Sequence, residues 1–421
     1  MPNIFTNQYV KIAMLCSIAI ILLLISLYLK LNLANADDHF FFTATQQSTV
    51  INFLEYRYEN WTGRIPIEAI TILTIQYSFV WKFIAPFCLL LIAISISRIV
   101  CNKIILFYVF LSLLLMLAMP YAVGINTVLW LTGVYFYILP LSLCFYTMSV
   151  FVAKRQRKIE IVLSFIFTFY FSYMEQIAIF FIFICAVWLF LQKDLWTKIN
   201  IPLLVSSIIN FIVSVTAPGN YSRYRAETWS WFPDYTYYSM IQKFSFGFDK
   251  FHQLLILHWN VTFIFLLILM IYLYFMQGTR SIAGHLSTFI GMIFIVFSIL
   301  YSCRGKIDLL GRFFFNRHVL DADKWSSLST YLSYLFVMLL GISVCILMLS
   351  SIKNKHCLWI VMSLFFIGIM DTLIMGFSPT VYASGLRVDF IFEVCCVVIC
   401  IFVIDDLFLC KSNVMNIQKL Q

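Results

Sequence analysis

The sequence predicts an all-α, polytopic integral membrane protein, and three observations carry that prediction. The chain of 421 residues is 62% hydrophobic and only 11% charged, whereas a soluble domain carries about 25% charged residues. Its mean hydropathy is +0.95. Its apolar residues gather in about a dozen windows of roughly 17–23 residues, the length that crosses a hydrocarbon core of about 30 Å. No water-soluble fold can bury so much apolar surface and still cover itself with polar groups.

The windows are 10–33, 80–98, 104–120, 134–153, 159–173, 175–191, 199–216, 254–276, 283–302, 329–350, 357–376 and 388–409. The fifth and sixth also read as one hairpin broken around Tyr173-Met174-Glu175. The first is about 20 residues long, against roughly 7–15 for the apolar region of a signal peptide. Ala34-Asn35-Ala36 is its only small-residue motif, so it reads as a retained span. Twelve spans put both termini on one side. The short connections carry Arg98, Lys103, Lys154-Arg155-Gln156-Arg157-Lys158, Lys193, Lys198, Arg280, Lys353 and Lys355. Dense Lys and Arg in short loops mark the cytoplasmic side. Lys and Arg as a whole divide evenly between the two sides, so the orientation rests on the density of these clusters, above all 154–158. The longer loops, 34–79, 217–253, 303–328 and 377–387, then face outward. The expected organisation is a single transmembrane domain, 1–421, whose first outer loop is 34–79, with no separate soluble domain.

The net charge of +9 does not signal nucleic acid, because the basic residues sit in short flanks and form no stripe. The cytoplasmic loops are too short for a nucleotide-binding fold, and no phosphate-cradling glycine loop occurs. Most of the 12 cysteines fall inside apolar windows, where they read as packing residues rather than disulfides or metal ligands.

The first outer loop is the most informative segment. Asp37 and Asp38 follow the first span directly. Adjacent carboxylates at a membrane surface repel each other, which suits a general base working near neutral pH; an acidic flank or helix cap reads equally well. Over 43–61, Val50, Phe53, Leu54 and Tyr58 fall at helical spacing, with Gln46, Glu55 and Glu59 elsewhere round the wheel. That pattern predicts an interfacial helix lying on the membrane, closed by Asn60-Trp61-Thr62-Gly63-Arg64. The other outer loops supply arginines, whose planar forks match phosphate. They are Arg223 behind Ala217-Pro218-Gly219-Asn220, Arg312 in the third loop, and Arg387 behind Ser378-Pro379 and Gly385. Headgroup contact or pairing with nearby acids would equally occupy such arginines. Glu175, Asp371 and Glu393 interrupt apolar runs, where a carboxylate is costly and marks function by default. Glu175, at the outer break, is the functional candidate, whereas Asp371 and Glu393 read as partners of Arg387 or of polar groups in the bundle. Asp321-Ala322-Asp323 has a cation-binding spacing but reads better as a solvated turn. The aromatic run Trp229, Trp231, Phe232, Tyr235, Tyr237 and Tyr238 reads as an interface belt.

An outward cavity with acids at one edge and arginines around it suits transfer from a lipid-linked phosphate. The acid takes a proton from the acceptor hydroxyl, and the arginines stabilise charge on the departing phosphate. That scheme admits a divalent cation but requires no metal. Asp37-Asp38 after the first span, followed by a helix ending in Trp61-Thr62-Gly63-Arg64, resembles the first outer loop of the GT-C superfamily of polytopic glycosyltransferases. Ala217-Pro218-Gly219-Asn220 with Arg223, Ser378-Pro379 with Arg387, and Glu175-Gln176 resemble elements of its bacterial members. Size and layout resemble the phage- or island-encoded serotype-converting glucosyltransferases that decorate O-antigen, without the soluble C-terminal domain of some GT-C enzymes. The resemblance implies a GT-C-like fold in a bacterial inner membrane, with both termini cytoplasmic and the site facing the periplasm. It implies a polyprenyl (undecaprenyl) phosphate glucose donor, a lipid-linked O-antigen acceptor of the lipopolysaccharide pathway, and inversion at the anomeric carbon. Asp37 or Asp38 becomes the base. Arg64, Arg223, Arg312 and Arg387 become donor-binding residues, supported by Glu59, Glu175 and Asn220. The implied partners are membrane lipids, a donor synthase and a flippase, and no nucleic acid.

Two rivals stand beside this expectation. An O-antigen polymerase would use the arginines without needing the first-loop acids. A flippase or transporter, a non-enzyme, would line a path with charges near the midplane and often show repeated halves, and no repeat is visible. Replacing Asp38 by Asn is expected to abolish transfer and leave membrane insertion intact.

Overall fold

The computed structural model describes residues 7–33, 36–46, 48–278, 281–302 and 328–418. Among them every regular element is helical and none is a strand. In chain order the helices are α1 (Asn7–Lys30), α2 (Ala36–Thr43), α3 (Val50–Asn60), α4 (Ile65–Thr74), α5 (Ser78–Cys101), α6 (Leu106–Leu117) and α7 (Tyr121–Thr127). Next come α8 (Leu131–Gly133), which runs through a π turn into α9 (Leu139–Phe151), then α10 (Lys158–Phe171), α11 (Glu175–Leu191), α12 (Asn200–Val215) and α13 (Pro218–Trp231). Last are α14 (Met240–Ile256), α15 (Val261–Gln277), α16 (Ile282–Ser302), α17 (Leu328–Ser351), α18 (Lys355–Ile374) and α19 (Phe390–Gln418).

The chain is a polytopic, all-helical membrane protein. Each expected window lies on helix, yet among the described residues 6 helices are long and apolar enough to cross a bilayer, or up to 9 if each bent pair is one span. The difference has local causes. α6 stops before Pro120 and the chain turns 98° into α7. Proline has no N–H to give and its ring blocks the helix behind it. α12 bends 53° into α13 at the Ala217-Pro218 step, and α14 bends 80° into α15 across residues 257–260.

The bundle is inside-out in polarity. α1, whose 18-residue core is only 17% buried, exposes Leu15, Leu22 and Leu23, as a lipid-facing helix should. Hydroxyls point inward instead: Ser95, Ser112, Ser142, Thr147, Thr168 and Ser207 are all buried. Ser172 and Ser207 hydrogen-bond across α10 and α12 at 2.8 Å. Small and hydroxyl residues let helices approach closely where lipid supplies no hydrophobic drive. From Val394 to Ile404 α19 is apolar all round, and Val394, Cys395, Cys396, Val397, Val398, Ile399, Cys400 and Ile401 are each buried. A helix without a polar face belongs in the centre, and α19 packs on α5, α6, α15 and α18. Cys88, Cys144, Cys185, Cys395, Cys396 and Cys400 are buried free thiols, which suits a packing role.

A helix was expected over 43–61, and α3 occupies Val50–Asn60 of it, carrying Val50, Phe53, Leu54 and Tyr58. Its start is later than expected because the Thr49 hydroxyl caps it, accepting from the Asn52 N–H at 3.3 Å. α2, Ala36–Thr43, stands ahead of it and was not expected. Phe53 is the buried residue of the expected stripe. α4 was not anticipated; Pro66 in its first turn, where no N–H is needed, favours it.

Candidate functional site

A cavity of about 940 Å³ opens where the loops 34–79, 121–137, 215–231 and 374–388 converge. Its lining includes Asp37, Arg64, Glu175, Asn220, Arg223 and Arg387, which the sequence spreads over nearly the whole chain.

Close backbone packing builds the near wall. A Cβ on Gly63 would stand 2.0 Å from the Ser214 carbonyl oxygen, and one on Gly219 would stand 2.3 Å from the Trp61 nitrogen. Only glycine lets the 61–64 turn and the start of α13 touch in this way. Asn220 locks them together: its Oδ1 accepts from the Gly63 N–H at 3.3 Å and its Nδ2 donates to the Ser214 carbonyl at 2.7 Å. The two motifs are therefore halves of one junction, and Asn220 is its rivet. Gly63→Ala and Gly219→Ala are each expected to cost about 1–3 kcal/mol through forced backbone movement. Thermal melting in detergent checks this against Gly124→Ala, where a Cβ meets nothing within 4 Å; equal melting of all three would refute the junction.

Ion pairs order the arginines. Arg64 holds Glu175, the first residue of α11, with guanidinium contacts of 2.7 and 2.9 Å. Burial pulls Arg64 down, but the Glu175 charge, its hydrogen bond and the nearby Tyr137 and Glu227 together outweigh it, so the net shift is upward and the cation is secured. Arg223 sits 3.5 Å from Glu227, one turn along α13. Burial, and next the Arg64 charge, push Arg223 downward, so an arriving anion would favour its charged form.

A third pair escaped the sequence reading. Glu68, 1% exposed, takes both arms of Arg57 at 2.8 and 2.5 Å, and the guanidinium also faces the Phe40 and Trp61 rings. A lone carboxylate in the apolar run Ile65–Thr74 was the available signal. Glu68→Ala is expected to cost about 3–5 kcal/mol, because it strands the Arg57 charge. Replacing both, as Arg57→Met with Glu68→Leu, should restore most of the lost melting temperature; no loss in the single variant would exclude a buried pair.

Arg387 differs from these. Among the described residues it has no carboxylate within ion-pair distance. Its Nε is buried without a hydrogen-bond partner, and its guanidinium carbon lies 4.9 Å from the Trp130 ring centre. The loop that carries it is clamped by an aromatic cluster of Tyr235, Phe246 and Val381, with Phe232, Tyr238 and Tyr382 packed round it. The expected aromatic belt is thus divided. Phe232, Tyr235 and Tyr238 serve this clamp, Trp231 lines the cavity, and Trp229 and Tyr237 stay exposed.

The adjacent acids part company. Asp37 is exposed on α2 and lines the cavity. Asp38 is 1% exposed and turns to the start of α8, where its Oδ1 accepts from the Thr132 N–H at 2.9 Å and the Thr132 hydroxyl at 2.6 Å. The two carboxylates therefore do not work as a pair at the cavity edge. Glu59 is exposed on α3 outside the cavity lining; among the described residues Glu68, Glu175 and Glu227 pair with Arg57, Arg64 and Arg223 there. Arg312 and Asp321-Ala322-Asp323 lie outside the described residues.

Beneath the cavity, Gln176 donates to Asp371 at 3.0 Å and to the Val388 carbonyl at 3.3 Å. Glu393 accepts from Asn260, which also caps α15. Asp371 and Glu393 thus meet amides of the bundle, the second of the two partnerships expected for them. Among the described residues no group of three or more His, Cys, Asp or Glu could hold a metal ion. The chain matches no known family model, and no curated protein or solved structure is significantly similar to it.

Proposed function

We propose that the chain is a GT-C-type membrane glycosyltransferase. It would move a sugar, with glucose first among candidates, from a polyprenyl phosphate donor to a lipid-linked O-antigen or other surface glycan. The observation that carries this reading is that one cavity is lined by Asp37 and by Arg387, which has no ion-paired carboxylate among the described residues. A base and an unneutralised guanidinium are the two tools that glycosyl transfer from a phosphate requires. A cavity of about 940 Å³ also falls within the roughly 300–1,000 Å³ of small-molecule sites.

Asp37 takes the proton of the acceptor hydroxyl. The freed oxygen bonds to the anomeric carbon as the bond from that carbon to the phosphate oxygen breaks, with inversion. The electron pair leaves with polyprenyl phosphate, whose growing charge Arg387 stabilises, aided by Arg64 and Arg223. No metal is needed for these steps. Twelve crossings, cytoplasmic termini and a periplasmic cavity in a bacterial inner membrane belong to the same proposal, as do a donor synthase and a flippase as partners. A polymerase has less support, because it needs no acid at Asp37's position. A transporter has less support too: Asp371 and Glu393 lie about one turn from the ends of their helices, away from a midplane path.

Mass spectrometry of surface glycan with and without the gene tests the reading. One hexose per repeat should disappear on deletion and return on complementation. An unchanged glycan, or loss of chain length alone, would count against it.

A further inference from the structure

The short stretch 128–132, which joins α7 to α8, is pinned at both ends by the first residues of the chain to fold beside it. Tyr28, at the end of α1 and 1% exposed, donates its hydroxyl to the Val128 carbonyl. Asp38, at the start of α2, holds the Thr132 N–H and hydroxyl. Thr132 is the second residue of the helical run Leu131–Phe151, so the carboxylate acts as a cap borrowed from another helix, on the end where a negative charge is favourable. Trp130 stands between the two anchors, and its ring is the shelf on which the Arg387 guanidinium rests.

We propose that Asp38 is a positioning residue. With Tyr28 it fixes the Trp130 shelf, and the shelf aims Arg387 into the cavity for the phosphate of the donor. The inference rests on the reading of Arg387 as a phosphate ligand. Two observations separate it from a merely structural cap. First, Arg387 lacks a carboxylate among the described residues, so the ring is its chief orienting contact, through the attraction of a cation to an aromatic face. Second, a space of about 40 Å³ lies beside the shelf, bounded by Tyr28, Asp38, Trp81 and Trp130. An indole with room beside it tilts when an anchor is cut, whereas one packed on every side would not. Asp38 therefore serves the chemistry at one remove, and Asp37 faces the acceptor alone.

The test is binding of a short polyprenyl phosphate to the full chain in nanodiscs, with no transfer required, alongside donor KM and kcat. Asp38→Ala and Trp130→Ala should each weaken binding and raise donor KM by about tenfold, the scale of a lost pre-oriented contact. The double variant should do no worse than either single one, since both break the same link. Asp38→Asn, expected from the sequence to abolish transfer, instead keeps an acceptor oxygen for Thr132 and should bind within about threefold of wild type, because a neutral acceptor retains most of a hydrogen bond. If Asp38→Ala does not fold, Tyr28→Phe cuts the other anchor and must produce the same weakening. Additive losses in the double variant, or normal binding by the anchor variants beside a binding wild type, would overturn the inference alone. An Asp38→Asn variant that binds the probe but has lost turnover would make Asp38 the base and overturn it as well. A wild type that binds no polyprenyl phosphate would sink the underlying reading together with this one.

Discussion

Asp37→Asn is expected to lower kcat by about 10²–10⁴-fold, the range for removing a positioned general base, with donor KM and melting temperature little changed. The substitution is nearly isosteric at an exposed position, so stability has no cause to move. Asn can hydrogen-bond the acceptor hydroxyl but cannot take its proton. Transfer of labelled sugar by the protein in nanodiscs, with purified donor and acceptor, measures it. Full activity would remove Asp37 from the chemistry, and with it the mechanism proposed for this cavity.

The second large effect belongs to Arg387. Arg387→Ala should lower kcat by about 10²–10³-fold, the cost of deleting one preorganised group at a site of developing charge, and should weaken binding of the donor. Arg387→Lys should recover little of either. Lysine offers a point charge where the Trp130 face and a phosphate both ask for a planar fork. Arg64→Lys should be milder, because Glu175 already engages that guanidinium. Steady-state kinetics on the three variants check the ranking; an Arg64 effect exceeding that of Arg387 would reverse the assignment of the leading cation.

The long helices were legible because one physical demand, about 20 apolar residues per crossing, writes itself directly into composition. Their breaks were less so. The 98° turn after α6 comes at Pro120, and the start of α3 depends on the Thr49 hydroxyl accepting from the Asn52 N–H. At the cavity, arginine type and loop position sufficed to pick out Arg64, Arg223 and Arg387. The sequence could not say which of them has a carboxylate at ion-pair distance among the described residues. That is decided by Glu175 and Glu227, reached across the fold for the first and along one helix for the second. Asp37 and Asp38 are equivalent as letters; Thr132, far away in the chain, tells them apart. Trp130 was passed over because an aromatic beside apolar neighbours gives no sign that a cation rests on it.

The central position of α19 has a consequence for how the protein is made. That helix leaves the ribosome after every other described helix, yet it fills the middle of the bundle. Earlier segments must wait in the lipid with hydroxyl-bearing faces still unmet, and the stretch that carries Arg387 arrives only just ahead of α19. Asp37, by contrast, is in place almost from the start of synthesis. A chain stopped short of its final helices would therefore hold Asp37, Arg64 and Arg223 without Arg387, leaving the cavity one wall short.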